Sequence, residues 1–142
     1  THPYHFRGRL EKWGCEVAIA PTAHGAIYTF DFDSDGGRLV FNALRKIARS
    51  VATTNAVVRV SDDGLTVSGG GTYFGNWNPA PYECWFYATQ GKGVLRIAVS
   101  FKSISQAKAY HDGELEGRTL SDIALSAKKL FRCRRFYDIP IL

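Results

Sequence analysis

Val94-Leu95-Arg96-Ile97-Ala98-Val99-Ser100-Phe101, followed by Lys102-Ser103-Ile104-Ser105-Gln106-Ala107, decides the fold, because the hydrophobic period changes inside it. The first eight residues read as a strand. The next six open a helix, and Leu120, Ile123, Ala124, Ala127, Leu130 and Phe131 recur at the spacing of a second one. Ser103 with Gln106, and Thr119 with Asp122, have the spacing of capping boxes. Gly113 and Gly117 frame the break between the helices. A β-rich region thus hands over to helices near Leu142. The apolar stripe of the second helix requires a partner, either the β region or a domain that follows.

Working back towards the amino terminus, short β-prone runs alternate with turns. Glu16–Ala20 precedes Pro21 and Gly25, and Ala26-Ile27-Tyr28-Thr29-Phe30-Asp31-Phe32 follows. In a strand, Ala26, Tyr28, Phe30 and Phe32 share one face, an aromatic inner side, with Thr29 and Asp31 opposite. Asp33-Ser34-Asp35-Gly36-Gly37 is a turn from which Arg38–Phe41 is expected to return as a hairpin partner. Val57–Val60 and Leu65–Ser68 predict a second hairpin, and Tyr82–Thr89 with Val94–Phe101 a third. Leu44, Ile47, Ala48 and Val51 have the spacing of a short helix. The fold class is therefore mostly β, an antiparallel β-sandwich over residues 1–101 followed by a helical connector over 102–142.

The 142 residues suffice for one domain with a core. Hydrophobic residues make up 45% and charged residues 22%, a globular composition without an apolar run of the ~20 residues a membrane helix needs. No amino-terminal stretch has the form of a signal peptide. Met is absent even at position 1, so a processed form or a piece of a longer chain is expected. The net charge of +5 is spread along the chain, apart from Lys128-Lys129 and Arg132, Arg134 and Arg135; it reads as a solvated surface, and no nucleic-acid partner is expected. Cys15, Cys84 and Cys133 form no C-x-x-C motif, and either one disulfide plus a free thiol or three reduced thiols is compatible with them.

The chemistry-bearing patterns are weak. Asp31-Phe32-Asp33-Ser34-Asp35-Gly36 has the first half of a calcium loop, but the twelfth position is Asn42, which lacks the bidentate carboxylate. Gly69-Gly70-Gly71 reads as a flexible loop, since no Lys-Ser or Lys-Thr pair follows to bind phosphate. Thr72–Pro81 interleaves aromatics with amides among Gly and Pro. Its rings either stack on sugars, whose C–H faces are apolar and edges polar, or cover the end of the sandwich. Trp77, Tyr73 and Asn76 are the candidate substrate-binding residues. His2, His5, His24 and His111 lack metal-ligand spacing, and no acid pair or activated nucleophile marks a catalytic residue.

The order of these motifs resembles the amino-terminal β-sandwich domain of the glycoside hydrolase family 92 α-mannosidases. Trp13-Gly14-Cys15-Glu16-Val17 resembles that domain's aromatic-Gly strand start, and Gly25-Ala26-Ile27-Tyr28-Thr29-Phe30 its Gly…Tyr-Thr-Phe strand. Asp63-Gly64-Leu65-Thr66-Val67-Ser68-Gly69 is similar to its second hairpin. Val99–Ala107, followed by an acidic helix and Leu120–Phe131, resembles the passage from sandwich to helical linker. Ile27 stands where the family has Arg, and Gln90–Gly93 replaces a long insertion. The family's Gly- and His-rich motif, which helps shape the mannose pocket, belongs before Thr1.

The resemblance implies a non-catalytic domain of a calcium-dependent, inverting exo-α-mannosidase, secreted or periplasmic in a bacterium. It would pack on a helical-barrel catalytic domain and help form a pocket for mannose-containing glycans. A Glu acid and an Asp base would come from that barrel. A free-standing carbohydrate-binding sandwich is the alternative.

Overall fold

One central strand packs its two sides against different partners, helices on one and a ladder of rings on the other. The computed structural model describes residues 2–35, 37–43, 51–52, 55–75 and 78–133, with the backbone alone at 51–52, 75, 78–79 and 131–133. The strands are β1 (Phe6–Leu10), β2 (Cys15–Pro21), β3 (Gly25–Phe32), β4 (Val51–Ala52), β5 (Val57–Val60), β6 (Thr66–Gly75), β7 (Asn78–Gly91) and β8 (Val94–Ser100). Helices α1 (Ile104–Glu114) and α2 (Leu120–Cys133) follow. The strands join one antiparallel sheet in the order β1-β2-β3-β8-β7-β6-β4, with β5 also on β6. Mostly β, antiparallel, with helices last, is the class the sequence predicts.

Register assigns the faces. Ala20 pairs with Ile27 and Gly25 with Ala98, so Ala20, Ile27 and Ala98 point one way. They form a core with Leu115 and Ile123, and Ile27, Leu115 and Ile123 are each at most 1% exposed. Burying an Ile or Leu side chain contributes about 1.5–3 kcal/mol, so these three anchor the helices to the sheet. Small Ala residues on the strands let α1 and α2 approach. On the same face Thr89 Oγ1 lies 2.9 Å from Nε2 of the buried His111, whose ring meets the Tyr87 ring edge-on at 5.1 Å.

The opposite face carries Tyr28, Phe30 and Phe32, opposite Leu95, Val17 and Cys15. These three rings stack in a ladder with centroids 6.2 and 6.3 Å apart. Cys15, Val17, Val67, Ala88 and Leu95 are buried on this face, while the three rings are half-buried. Alternation therefore identifies the aromatic face and its reverse correctly, and Ile27, between Ala26 and Tyr28, carries that reverse side into the helix-covered core.

Three expectations are corrected. Arg38–Phe41 is not a strand. The edge of β3 that it would need is already taken, because β8 pairs with Gly25–Thr29 and Phe30 N–H donates to the Gly93 carbonyl at 2.7 Å. Phe41 instead stacks on Phe86, centroids 6.1 Å apart. Gly69–Gly71 is no loop but the buried middle of β6. A Cβ on Gly69 would sit 2.2 Å from the Val57 carbonyl oxygen, and one on Gly70 (φ 139°) 2.1 Å from that of Cys84. Absent side chains there permit close strand approach. Finally, Thr72–Gly75 and Asn78–Pro81 extend β6 and β7. Of the expected short helix, Leu44, Ile47 and Ala48 lie outside the described residues, and Val51 is in β4.

Both helix starts follow the predicted caps. Ser103 Oγ accepts from Gln106 N–H at 3.1 Å. Thr119 Oγ1 accepts from Asp122 N–H at 3.2 Å, and Asp122 Oδ2 accepts from Thr119 N–H at 2.9 Å. Cys15 and Cys84 are free thiols; Cys133 has no described side chain. No described helix is long and apolar enough to cross a membrane.

Candidate functional site

Gly75 pairs with Asn78, so Asn76 and Trp77 are the two residues joining β6 to β7. Both lie outside the described residues, as do Arg134 and Arg135 of the basic cluster. Tyr73 stands in β6 below that junction, directly opposite Tyr82 of β7, with ring centroids 6.0 Å apart. Phe101, just past β8, meets the Tyr82 ring edge-on at 6.4 Å. Tyr73 of β6, Tyr82 of β7 and Phe101 just past β8 therefore make a row. Phe101 is 72% exposed, while both tyrosines are half-buried.

Each ring has a local reason for its place. The Tyr73 hydroxyl donates to the Ala43 carbonyl at 3.0 Å, which ties β6 to the segment that caps Phe86. Burial, then neighbouring Cys84 and Tyr82, pushes the Tyr73 phenol above its usual pKa, so it remains a neutral donor. Burial likewise pushes up the half-buried Cys84 thiol, which is thus no activated nucleophile. Phe101 lies between the last strand and Ser103, the cap of α1, and among the described residues that turn leaves it largely exposed. Sequence reading placed Tyr73 near the junction but missed Tyr82 and Phe101. The signal was there in the third hairpin's register, which sets residue 101 beside the row.

The polar groups elsewhere are held in structural pairs. Arg9 donates to both carboxylate oxygens of Asp33 and reaches Glu11 at 3.3 Å, which raises its pKa. Asp33 of the calcium-like segment is thus occupied by a guanidinium. Among the described residues no three His, Cys, Asp or Glu side chains group to hold a metal ion. The calcium implied by the family resemblance does not fit these residues.

At the opposite side of the molecule, the β2–β3 turn is fastened to α1. His24 N–H donates to Glu114 Oε2 at 3.0 Å, His24 Nδ1 lies 2.5 Å from Glu114 Oε1, and its ring stacks on Tyr110 at 3.7 Å. Burial alone would raise the Glu114 pKa; the Thr22 hydroxyl nearby and the His24 ring and amide outweigh it and hold the carboxyl below its usual range. Thr22 Oγ1 is itself buried without a partner in hydrogen-bond geometry, so the His24 contacts are the ones the geometry secures.

An antiparallel sheet with one helix-covered face, an aromatic end and two carboxyl-terminal helices defines a mostly β domain. The chain belongs to the glycosyl hydrolase family 92 N-terminal domain family, whose sequence profile matches residues 1–126. Its fold is similar to that of the family GH92 inverting mannosidase BT2199 from Bacteroides thetaiotaomicron VPI-5482, with a TM-score of 0.68 at 13% identity. The match covers 92% of this chain and 22% of that one. The family GH92 α-mannosidase BT3965 from Bacteroides thetaiotaomicron gives a TM-score of 0.67 at 13% identity, covering 92% and 23%. The chain thus spans less than a quarter of the length of either. No match was found among curated protein sequences.

Proposed function

We propose that this domain packs against the helical-barrel catalytic domain of an exo-α-mannosidase and supplies one wall of its pocket for mannose-containing glycans. The observation that carries the reading is the Tyr73–Tyr82–Phe101 row beneath the junction bearing Asn76 and Trp77, ending in a largely exposed phenyl ring. Rings in this setting offer apolar faces to sugar C–H groups. The acid and base expected of an inverting glycosidase, and the calcium the family implies, belong in this proposal to the barrel. A secreted or periplasmic location is part of the same proposal.

Trp77→Ala in the intact enzyme is expected to weaken mannoside binding without lowering the melting temperature. Unchanged kinetics would remove Trp77 from the site. The isolated chain is expected to bind glycans little or not at all; firm binding by it would favour a free-standing carbohydrate-binding module.

A further inference from the structure

A groove of about 630 Å³ opens between the β2–β3 turn and α2, within the size range of small-molecule sites. Pro21 and Ala23 form one side, and Ile123, Ala127 and Leu130 follow a single stripe along α2 on the other. Ile123 and Ala127 are buried, whereas Leu130 stands 67% exposed at the lip.

Two opposite charges, Glu114 and Arg118, line the same groove. Arg118 donates at 3.2 Å to the Glu114 carbonyl, at 3.2 Å to the Asp122 carbonyl and at 2.6 Å to Ser126 Oγ. All three acceptors are neutral, so two of the five guanidinium N–H donors stay unassigned and, among the described residues, no carboxylate pairs with this cation. The Glu114 carboxylate holds His24 instead: Oε2 accepts from the His24 N–H at 3.0 Å, and Oε1 lies 2.5 Å from its Nδ1. A carboxylate accepts about four hydrogen bonds, so it keeps capacity for a further donor. Because Arg118 grips the carbonyl of Glu114 itself, the two charges lie close together, and the apolar stripe runs on past Ser126 to Leu130.

We propose that this groove binds a free α-amino acid with a large apolar side chain. Glu114 takes its ammonium, Arg118 its carboxylate, and Ile123, Ala127 and Leu130 its side chain. An acid alone would meet Glu114 as a like charge, and an amine alone would meet Arg118, so the pair selects a molecule with both charges on one carbon. Guanidinium–carboxylate contact is readily bidentate, which orients the head group. From Ile123 to Leu130 the stripe spans about 10 Å, room for an aromatic or long aliphatic side chain. The inference does not rest on the glycan reading, since none of the aromatic row lines this groove.

The test is an NMR titration of the 142-residue chain with L-phenylalanine, following the backbone amides of Ala23, Ser126 and Ala127. Those amides are expected to shift and saturate. Hydrocinnamate, which lacks the ammonium, and phenethylamine, which lacks the carboxylate, are each expected to bind at least about tenfold more weakly, from the loss of a charge-assisted hydrogen bond. Arg118→Gln at the head and Leu130→Asp at the lip are each expected to weaken phenylalanine about tenfold, whereas Leu125→Asp, on the opposite side of α2, should change nothing. Arg118 also ties down the start of α2, so Leu130→Asp decides the matter if Arg118→Gln melts early. Equal affinity for the three compounds would overturn the proposal. So would unweakened binding by Leu130→Asp, or no saturable shift at these amides up to the solubility limit of phenylalanine.

Discussion

The two faces of this sheet are buried by different means. Helices seal one with Leu115 and Ile123 against Ala20, Ile27 and Ala98, and these five are essentially inaccessible. The other is lined by large rings that remain half-buried, and at its far end Phe101 is mostly in solvent. Small strand residues under a helix pair make a structural core. Rings that the described residues cover only in part leave apolar area open on that face. The difference says where this domain spends its stability and where it keeps contact area.

Substitutions at the two faces should therefore behave unlike one another. Ile123→Ala is expected to cost about 2–5 kcal/mol in urea unfolding, from lost burial plus the cavity left behind. Phe101→Ala should change stability by less than about 0.5 kcal/mol. Equal losses would break the distinction. Gly70→Ala comes next, at roughly 2 kcal/mol or more, because φ is 139° and a Cβ would meet the Cys84 carbonyl. Thr119→Ala, which removes the α2 cap, should cost about 1 kcal/mol.

The smallest effect is one of pH. Glu114 has a lower pKa folded than unfolded, so its contribution is complete above the unfolded value and is lost as pH falls through the folded one. Below the ordinary carboxyl range of about 4.5, the wild-type chain should lose stability more steeply than Glu114→Gln. Parallel melting curves across that range would show that the His24–Glu114 contact is idle.

Much of this was legible in the sequence because it is local. The change of period at Val94–Ala107, the caps at Ser103 and Thr119, the second and third hairpins and the aromatic face of β3 all follow from spacing within a few residues. The errors concern who occupies a strand edge or a face. Nothing in Arg38–Phe41 reveals that β8 and Gly93 already hold that edge of β3. Nothing within Gly69–Gly71 tells of the strands pressing on it, so glycine read as freedom when it was serving close approach. The burial of Ile27 was not legible because its cover comes from helices some ninety residues later. Of the site, Tyr73 was visible from composition, while Tyr82 and Phe101 join it only through cross-strand register.

Mannoside affinity of the intact enzyme carrying Tyr82→Ala and Phe101→Ala together tests the aromatic surface most directly. Loss of two stacking rings, at about 0.5–1.5 kcal/mol each, predicts a KM raised about fivefold or more with the melting temperature little changed. An unaltered KM in a folded double variant would contradict the assignment of that surface to glycan.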